Sequence, residues 1–269
     1  MPDTLQITSI HDWFSDDIVA GWHDWKVHSV HERAIILTAG KHLVTLTNAY
    51  DGPSTMVTTT SLPSLLPGES MGREIGLDFS SAEPWIPPMF SIIPEEIEEQ
   101  SLDQLFQKLE YSGRSALLQP KFIPWITRGI SALAAGFPRI TPDGSVLFGL
   151  GPGMTPAGDD FLSGFFHVLY HAGLPVKWDE LAPYAAGTNL IAQTMLWWAC
   201  QGVVAQPFEQ ALLGLYRCQP NLYGLIQTAF SIGHSSGADH LLGVWLGLLL
   251  VKKLGEVENW HGISVVQTN

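Results

Sequence analysis

A proline-rich passage, AEPWIPPMFSIIP (residues 82–94), separates two parts of the chain with different residue patterns. Before it, KVHSV, AIILTAG, HLVTLTN and STMVTTT are short, rich in β-branched residues and separated by turn-forming stretches, which predicts a small antiparallel sheet or barrel. After it, apolar residues recur with helical spacing. The pattern predicts an α+β fold: a β-rich N-terminal domain at residues 1–90, then a mostly helical domain at residues 91–269 with glycine-rich loops at helix N-termini.

The helical part begins at Pro94 with EEIEEQSLDQLFQKLEYSG. Apolar periodicity and helix-start residues predict further helices over residues 121–136, 159–173, 178–203, 207–217, 220–231 and 238–253. The short segment SVLFGL (residues 145–150) follows a TPDG turn. It predicts either a lone strand or an extended lead into the next loop.

The size, hydrophobic fraction and net charge of the chain limit which kinds of molecule it is expected to bind. With 269 residues, 46% of them hydrophobic, the chain can bury a large core and should be globular. Its net charge of −13 opposes a polyanion, so nucleic acid is not an expected partner. A small anion remains possible, because a few oriented backbone N–H groups can bind one locally.

The chain carries no pattern of export or membrane insertion. Cys200 and Cys218 fit neither a metal-ligand spacing nor a disulfide framework. The first twenty residues hold four aspartates and lack the basic start and apolar stretch of a signal peptide. The apolar run from Leu241 to Val251 is about half the roughly 20 residues of a membrane span. We therefore expect a cytoplasmic protein with no membrane partner.

The stretch GLGPGMTPAGDD (residues 149–160) places glycines, prolines and two carboxylates before an apolar helix. Unpaired N–H groups at such a helix start predict a phosphate or small-anion site. The substrate-binding residues expected here are Gly151, Gly153, Thr155, Gly158 and Asp159. The alternative is an unusual turn before a helix that an aspartate caps.

This loop matches neither common phosphate-binding motif. The pattern GxxxxGK[ST] fails because no lysine lies between Lys121 and Lys177, and GxGxxG fails because Met154 occupies the position of its last glycine. Asp159 and Asp160 could instead hold a metal ion such as Mg²⁺. No cofactor is required by the sequence, and Mg²⁺ stays an open alternative.

A second stretch, IGHSSGADHLLG (residues 232–243), repeats part of the first. Gly158-x-Asp160-x-Leu162-x-Gly164 matches Gly237-x-Asp239-x-Leu241-x-Gly243. Two such helix starts could form opposite walls of one site, with Ser235, Ser236 and Gly237 contacting the ligand. Alternatively, the repeat lets two core helices cross closely while each aspartate acts as a cap.

Histidines offer further candidates. His234 stands among small hydroxyl residues before a helix start, where it could act as a general acid or simply make a hydrogen bond within the loop. His167 and His171 are four residues apart on a predicted helix, a spacing that can ligate a metal, although hydrogen-bonded core histidines are the more common outcome.

Two other histidine groupings predict no site. Ser163 and His167 are not expected to form a catalytic pair, because a serine inside a helix usually bonds back to a carbonyl. His23, His28 and His31 lack ligand spacing and are more typical of surface or structural positions.

Together, GLGPGMTPAGDDFLSG and IGHSSGADHLLGVWLG resemble the paired motifs of the AllH-like family, formerly a family of unknown function, whose best-understood member is a subunit of oxamate carbamoyltransferase. The resemblance extends to chain length and to the order of β-rich and helical parts. The family's first motif commonly is GxGPGLTPSxDDxLxG; here Met154 replaces the leucine and Ala157 replaces the serine. Loss of that hydroxyl argues against a ligand contact at position 157.

The resemblance implies carbamoyl transfer between carbamoyl phosphate and a small amide such as oxamate, in purine and allantoin nitrogen catabolism, with other subunits as partners. The interpretation of the two motifs suits such a reaction, and the catalytic residues that we expect from it are His234, Asp160 and Asp239. Carboxylates beside a dianionic ligand would repel it unless a cation such as Mg²⁺ or a bound amine lay between them. Alternatively, Asp160 and Asp239 would orient the loop N–H groups from behind. Alternatives are a noncatalytic ligand-binding or scaffolding subunit, or an ATP- and Mg²⁺-dependent carboxylase-like enzyme.

Overall fold

The computed structural model describes residues 4–11, 25–31, 34–39, 42–53, 55–58, 71–137 and 142–261. The chain divides into two compact units, Met1–Pro88 and Met89–Asn269. The first contains the strands and the second the α-helices. The predicted α+β class is therefore confirmed.

The first unit is built on a sheet. Its strands are β1 (Thr4–His11), β2 (Lys26–Val30), β3 (Ala34–Ala39), β4 (His42–Thr47), β5 (Thr55–Thr58), β6 (Gly76–Asp78) and β7 (Glu83–Trp85). The order is β2-β3-β4-β5-β1-β6, with β7 also paired to β1. Strands β2, β3 and β4 form an antiparallel meander, and β1 pairs antiparallel with β5. The pairs β4–β5, β1–β6 and β1–β7 are parallel, so the sheet is mixed.

Cross-strand apolar pairs build the core of this unit. Ile35 lies opposite Leu46, and Leu37 lies opposite Val44, across β3 and β4. All four are buried, as expected when alternate side chains of two paired strands share one face. Four strands coincide with the β-branched segments identified in the sequence, whereas β1, β6 and β7 were not predicted. His23 lies outside the described residues, and His28 and His31 are exposed.

The second unit contains eight α-helices within the described part of the chain. They are α1 (Glu99–Ser112), α2 (Ile123–Gly136), α3 (Ala157–His171), α4 (Trp178–Ala185), α5 (Leu190–Ala199), α6 (Gln206–Tyr216), α7 (Leu222–Phe230) and α8 (Ser236–His261). No helix among the described residues is both long and apolar enough to cross a membrane.

Two local predictions were wrong. The helix predicted over residues 178–203 is two helices, because Gly187 and Thr188 interrupt it and the Asn189 side chain caps α5 by accepting from the Ala192 amide at 3.0 Å. The segment at residues 145–150 is neither a strand nor extended: Pro142–Leu147 forms a 3-10 helix that turns into the glycine loop.

Helix α3 is the centre of the second unit. Every residue of α3 except Tyr170 is buried, and the helix packs against α8 and α5. A helix buried on all sides must lie inside a core. It crosses α8 where Gly164 and Gly243 allow the two backbones to touch. Because the aspartates of both motifs lie at the starts of these helices, the crossing positions the candidate site.

Candidate functional site

The two helix starts of the sequence repeat lie in contact. The hydroxyl of Thr155, just before α3, is 3.1 Å from the hydroxyl of Ser236, the first residue of α8. Both residues are half-buried. This hydrogen bond joins the loop at residues 149–156, which we call loop 1, to the start of α8, directly after the loop at residues 232–235, which we call loop 2.

Loop 1 has a backbone that only glycine adopts readily. Gly149, Gly151 and Gly153 have φ angles of 69°, 105° and 112°, in the region that disfavours residues with a Cβ. Within the described residues, no hydrogen bond engages the amides of Gly151, Gly153 or Thr155. Gly153 is exposed, and Gly151 and Thr155 are half-buried. These amides are therefore available to a ligand from solvent.

The first glycines of the two motifs have the same structural role. The Gly158 amide donates to the Leu150 carbonyl at 2.8 Å, and the Gly237 amide donates to the Ile232 carbonyl at 3.0 Å. A Cβ at Gly158 would lie 1.9 Å from the carbonyl oxygen of Leu147. A Cβ at Gly237 would meet the Ala229 carbonyl oxygen at 2.1 Å. Both glycines are buried, so their contacts match the packing alternative for these two positions.

The Asp159 carboxylate stabilises loop 1 by accepting hydrogen bonds from it and from Thr188. It accepts from the Gly149 amide at 3.1 and 3.2 Å and from the Thr188 hydroxyl at 2.6 Å. Asn189 adds a bond from its side-chain amide to the Met154 carbonyl at 2.8 Å. Burial raises the pKa of Asp159, while these donors partly offset that rise. A metal ion on Asp159 would have to compete with donors already in place.

Asp239 has the corresponding role on α8. It is fully buried and accepts from the Ser115 hydroxyl at 2.6 Å and from the Ala116 and Leu117 amides at 3.3 and 3.2 Å. Burial raises its pKa, with the Ser115 hydroxyl acting in the opposite direction. Asp239 thus fixes the connection between α1 and α2. Its contacts, like those of Asp159, favour the orienting role over a direct contact with a ligand.

Asp160 differs from both. Its Oδ2 atom is buried and has no hydrogen-bond partner among the residues that the structure describes. Burial raises its pKa well above the usual value, and the nearby Asp239 and Asp159 carboxylates raise it further, while the Ser236 and Thr155 hydroxyls oppose the shift. Asp160 is therefore favoured as a neutral carboxylic acid beneath the Thr155–Ser236 contact.

Loop 2 presents His234 and a cation that the sequence did not suggest. His234 is exposed, and Ser235 is half-buried. The Arg114 guanidinium reaches the Gly233 carbonyl at 3.4 Å. Arg114 is next to Ser115, which Asp239 holds. An exposed arginine in the stretch YSGRS gives no local pattern from which this placement could be predicted.

A separate polar group lies deeper between the helices. His167 and His171 on α3 are buried, as is Glu209 on α6. His167 Nε2 and Glu209 Oε2 are 3.3 Å apart. The Ser163 hydroxyl is also buried, and among the described residues it makes no hydrogen bond, so the expected bond back to a carbonyl is not formed there. Glu209 was not predicted, since nothing near it in sequence marks it as a partner of α3.

Comparison with known families supports the resemblance of the two motifs. Residues 147–248 match the model of the family described as oxamate carbamoyltransferase subunit AllH. The matched stretch includes both glycine loops, all of α3 and the first half of α8. No solved structure matches the chain.

Proposed function

We propose that loop 1, loop 2 and Arg114 form a binding site for carbamoyl phosphate, and that the chain acts as a subunit of an oxamate carbamoyltransferase. The observation that carries the proposal is the 3.1 Å hydrogen bond between Thr155 and Ser236, which brings two helix starts to one place. Helix starts present unpaired N–H groups and a partial positive charge. The family match over residues 147–248 supplies the reaction class and implies partner subunits.

The charges around the loops suit an anion in spite of the net charge of −13. Asp159 and Asp239 are each satisfied by donors from the protein. Asp160 is favoured in its neutral form, so it need not repel a phosphate. Arg114 adds a positive charge beside Gly233. An anion at the loops would therefore meet donors and one cation rather than unpaired carboxylates.

In the proposed reaction, the nitrogen of the acceptor amide attacks the carbonyl carbon of carbamoyl phosphate. The bond from that carbon to the phosphate oxygen then breaks, and phosphate leaves with the electron pair while the nitrogen loses a proton. His234 would donate to the carbonyl oxygen as negative charge develops there. The amides of Gly151 and Gly153 would hold the phosphate or stabilise the oxyanion.

Mg²⁺ is a separate part of the proposal. The sequence left open whether the aspartates hold a cation or orient the loops. The donors on Asp159 and Asp239 support orientation. In the described part of the chain, Oδ2 of Asp160 has no hydrogen-bond partner and is the carboxylate oxygen that a cation at the loops could use. If Mg²⁺ takes part, binding of the anion should strengthen when the ion is added.

Thermal unfolding in the presence of ligands tests the proposal. Carbamoyl phosphate, and more weakly inorganic phosphate, should raise Tm, because a ligand selective for the folded state stabilises it by about 2.7 kcal/mol at 100 times its Kd. Oxamate, ATP and sulfate at the same ionic strength serve as comparisons, each with and without Mg²⁺ and partner subunits. A shift with ATP alone would favour the carboxylase-like alternative. No shift with millimolar carbamoyl phosphate in any combination would overturn the anion site.

A noncatalytic scaffolding subunit is the second candidate. The observation that favours it is the packing of Gly158 and Gly237 against backbone carbonyls, which explains part of the repeat without a ligand. Under this alternative, the loops maintain the fold or a partner surface while the chemistry takes place on another chain. Activity of variants in the assembled complex separates the two candidates.

A further inference from the structure

The buried group formed by His167, His171 and Glu209 has polar atoms with no hydrogen bond to any residue that the structure describes. His167, His171 and Glu209 contribute such atoms: both ring nitrogens of His167, Nε2 of His171 and both carboxylate oxygens of Glu209. The side chains of His167 and Glu209 are fully buried. Buried polar groups without partners are rare, because each loses its hydration without replacement. Within the described part of the chain, these atoms could therefore be satisfied by a bound ion.

The protonation of His171 can be assigned from its neighbour. Its Nδ1 lies 2.9 Å from the carbonyl oxygen of Phe90. A carbonyl can only accept, so Nδ1 carries the proton and donates it. Nε2 is then the ring nitrogen left to act as a ligand; among the described residues it makes no hydrogen bond of acceptable geometry, although the Gly202 backbone lies near the ring. A histidine that donates its Nδ1–H to a carbonyl and offers Nε2 as the ligand atom has the arrangement usual for a metal ligand.

Aromatic rings fix the geometry around the cluster. The Phe90 ring stacks on His171, with centroids 3.9 Å apart and planes 9° from parallel. Phe208, next to Glu209, stacks on His240 at 3.8 Å and 12°. His240 also has an unpartnered Nε2 atom, and its ring centre is 6.2 Å from that of His167. Two phenyl rings therefore stack on the imidazoles, and the burial of all four polar side chains excludes bulk water from them.

A simple ion pair does not account for the cluster. His167 Nε2 and Glu209 Oε2 are 3.3 Å apart, but this contact lacks hydrogen-bond geometry and leaves both atoms unpartnered. A buried ion pair is favourable only when further hydrogen bonds satisfy its remaining atoms. An ion pair of His167 with Glu209 would also leave Nε2 of His171 outside the contact.

We propose that His167, His171 and Glu209 bind a divalent transition-metal ion, with Zn²⁺ the best match, in a buried site that ties α3 to α6. Each residue offers one ligand atom, and these atoms lie within 4.8 Å of one another. Tetrahedral Zn²⁺ with bonds of about 2.0–2.1 Å holds its ligand atoms about 3.3 Å apart. The His167–Glu209 separation already has this value, so small side-chain movements suffice.

The donor set indicates the class of metal. Two imidazoles and one carboxylate suit Zn²⁺ and its neighbours in the first transition row, whereas Mg²⁺ and Ca²⁺ prefer oxygen ligands alone. His167 and His171 are one helical turn apart on α3, and Glu209 lies in the first turn of α6. The ion would cross-link two segments about 40 residues apart in sequence, so its binding energy adds to folding stability.

Metal analysis of the untagged full-length protein tests the site. After growth with zinc and dialysis against metal-free buffer, we expect about one Zn²⁺ per chain, because structural zinc is bound tightly. Reconstitution of the metal-free protein with Co²⁺ should give the visible d–d bands of tetrahedral coordination. His171→Ala and Glu209→Gln should weaken Co²⁺ binding by more than about 100-fold, since loss of even an outer partner costs 10- to 100-fold.

His28→Ala is the matched control, because His28 is an exposed imidazole in the first unit that could bind metal adventitiously. It should retain the full metal content. Chelation of the wild type should lower Tm, a measurement that needs no variant to fold. The proposal is overturned if the wild type neither retains zinc nor shows the Co²⁺ bands, or if both cluster variants bind Co²⁺ as the wild type does.

Discussion

The carbonyl oxygen of His240 lies against Gly164, where a Cβ would come within 2.0 Å of it. The reverse contact has the same form, since a Cβ at Gly243 would lie 1.8 Å from the carbonyl oxygen of Phe161. Gly164 and Gly243 end the two copies of the repeated motif, and Phe161 and His240 occupy equivalent positions within it. The repeat therefore describes a pseudo-symmetric crossing of α3 and α8, with each backbone in contact with the other.

Gly164→Ala should destabilise the protein. The added methyl would overlap the backbone of α8, and separating two packed helices costs on the order of 1–3 kcal/mol or more. Gly224→Ala is a matched control, because this helical glycine has nothing within 4 Å of its Cβ position. The control should be neutral or stabilising by up to about 1 kcal/mol. Urea unfolding followed by circular dichroism measures both, and equal stabilities would disprove the close crossing.

Asp239→Ala should cost about 2–4 kcal/mol, because it leaves the Ser115 hydroxyl and the Ala116 and Leu117 amides without their acceptor. Asp239→Asn retains one acceptor oxygen and should cost less. Asp103→Ala, at an exposed position of α1, should change stability by no more than about 0.5 kcal/mol. Chemical denaturation of the three variants provides the comparison. A loss at Asp239 as small as that at Asp103 would show that the carboxylate does not hold the α1–α2 connection.

Asp160 should make stability depend on pH. Its pKa is raised well above the usual value by burial. Between the two pKa values, the folded state therefore holds a proton that the unfolded state has released. The stabilising contribution of Asp160 to the unfolding free energy is complete below the pKa of the unfolded state, and it is lost as pH rises through the pKa of the folded state. Relative to Asp160→Asn, the unfolding free energy of the wild type should fall by up to about 1.4 kcal/mol per pH unit between these two pKa values.

Unfolding free energies of the wild type and Asp160→Asn at constant ionic strength, from about pH 5 to about pH 8, measure the effect. Subtracting the values of the variant from those of the wild type cancels the pH dependence of the other buried groups. One of them is His240, whose pKa is lowered by burial, so its effect on stability changes with pH in the opposite direction. Asp103→Asn, an exposed change on α1, is the control for loss of one acidic group. A difference that stays constant with pH would show that Asp160 is ionised in the folded protein throughout the range.

Local patterns explain why much of the fold could be predicted. The β-branched segments became β2 to β5, and the apolar periodicity marked the helices to within a few residues, apart from the break between α4 and α5 and an α8 that runs on to His261. Strand β1 pairs with β6 and β7 across more than sixty residues, and no local pattern specifies such pairing. The 3-10 helix at Pro142–Leu147 was missed because SVLF has the composition of a strand.

The residues of the candidate site were likewise predictable where a local motif marks them and not where only tertiary packing places them. The repeat identified two related helix starts because both copies are visible as short motifs in one sequence. Arg114 and Glu209 were not predicted, because tertiary packing alone brings each to its partner. Arg114 contacts Gly233, and Glu209 lies beside His167. A single charged residue in a helix or connection carries no pattern of its own.

Arg114→Ala should weaken anion binding without unfolding the protein. The residue is exposed, and loss of one charge-assisted hydrogen bond to a phosphate corresponds to roughly a 10-fold rise in Kd. Arg128→Ala is the matched control, since Arg128 is also exposed but pairs with Asp143 at 3.0 Å. Calorimetric titration with carbamoyl phosphate measures both. If the two variants bind equally well, the anion does not reach Arg114.

His234→Ala distinguishes a catalytic subunit from a scaffold. His234 is exposed, so its removal should leave Tm unchanged. If it donates a proton to the carbamoyl oxygen, kcat of the reconstituted complex should fall by about 100-fold or more, with a smaller change in KM for carbamoyl phosphate. His28→Ala, which removes an exposed imidazole from the first unit, should leave kcat unchanged. If His234→Ala and Asp160→Asn both keep activity within a few-fold in a fully assembled complex, the chemistry belongs to another chain, and the two loops serve the fold or the assembly.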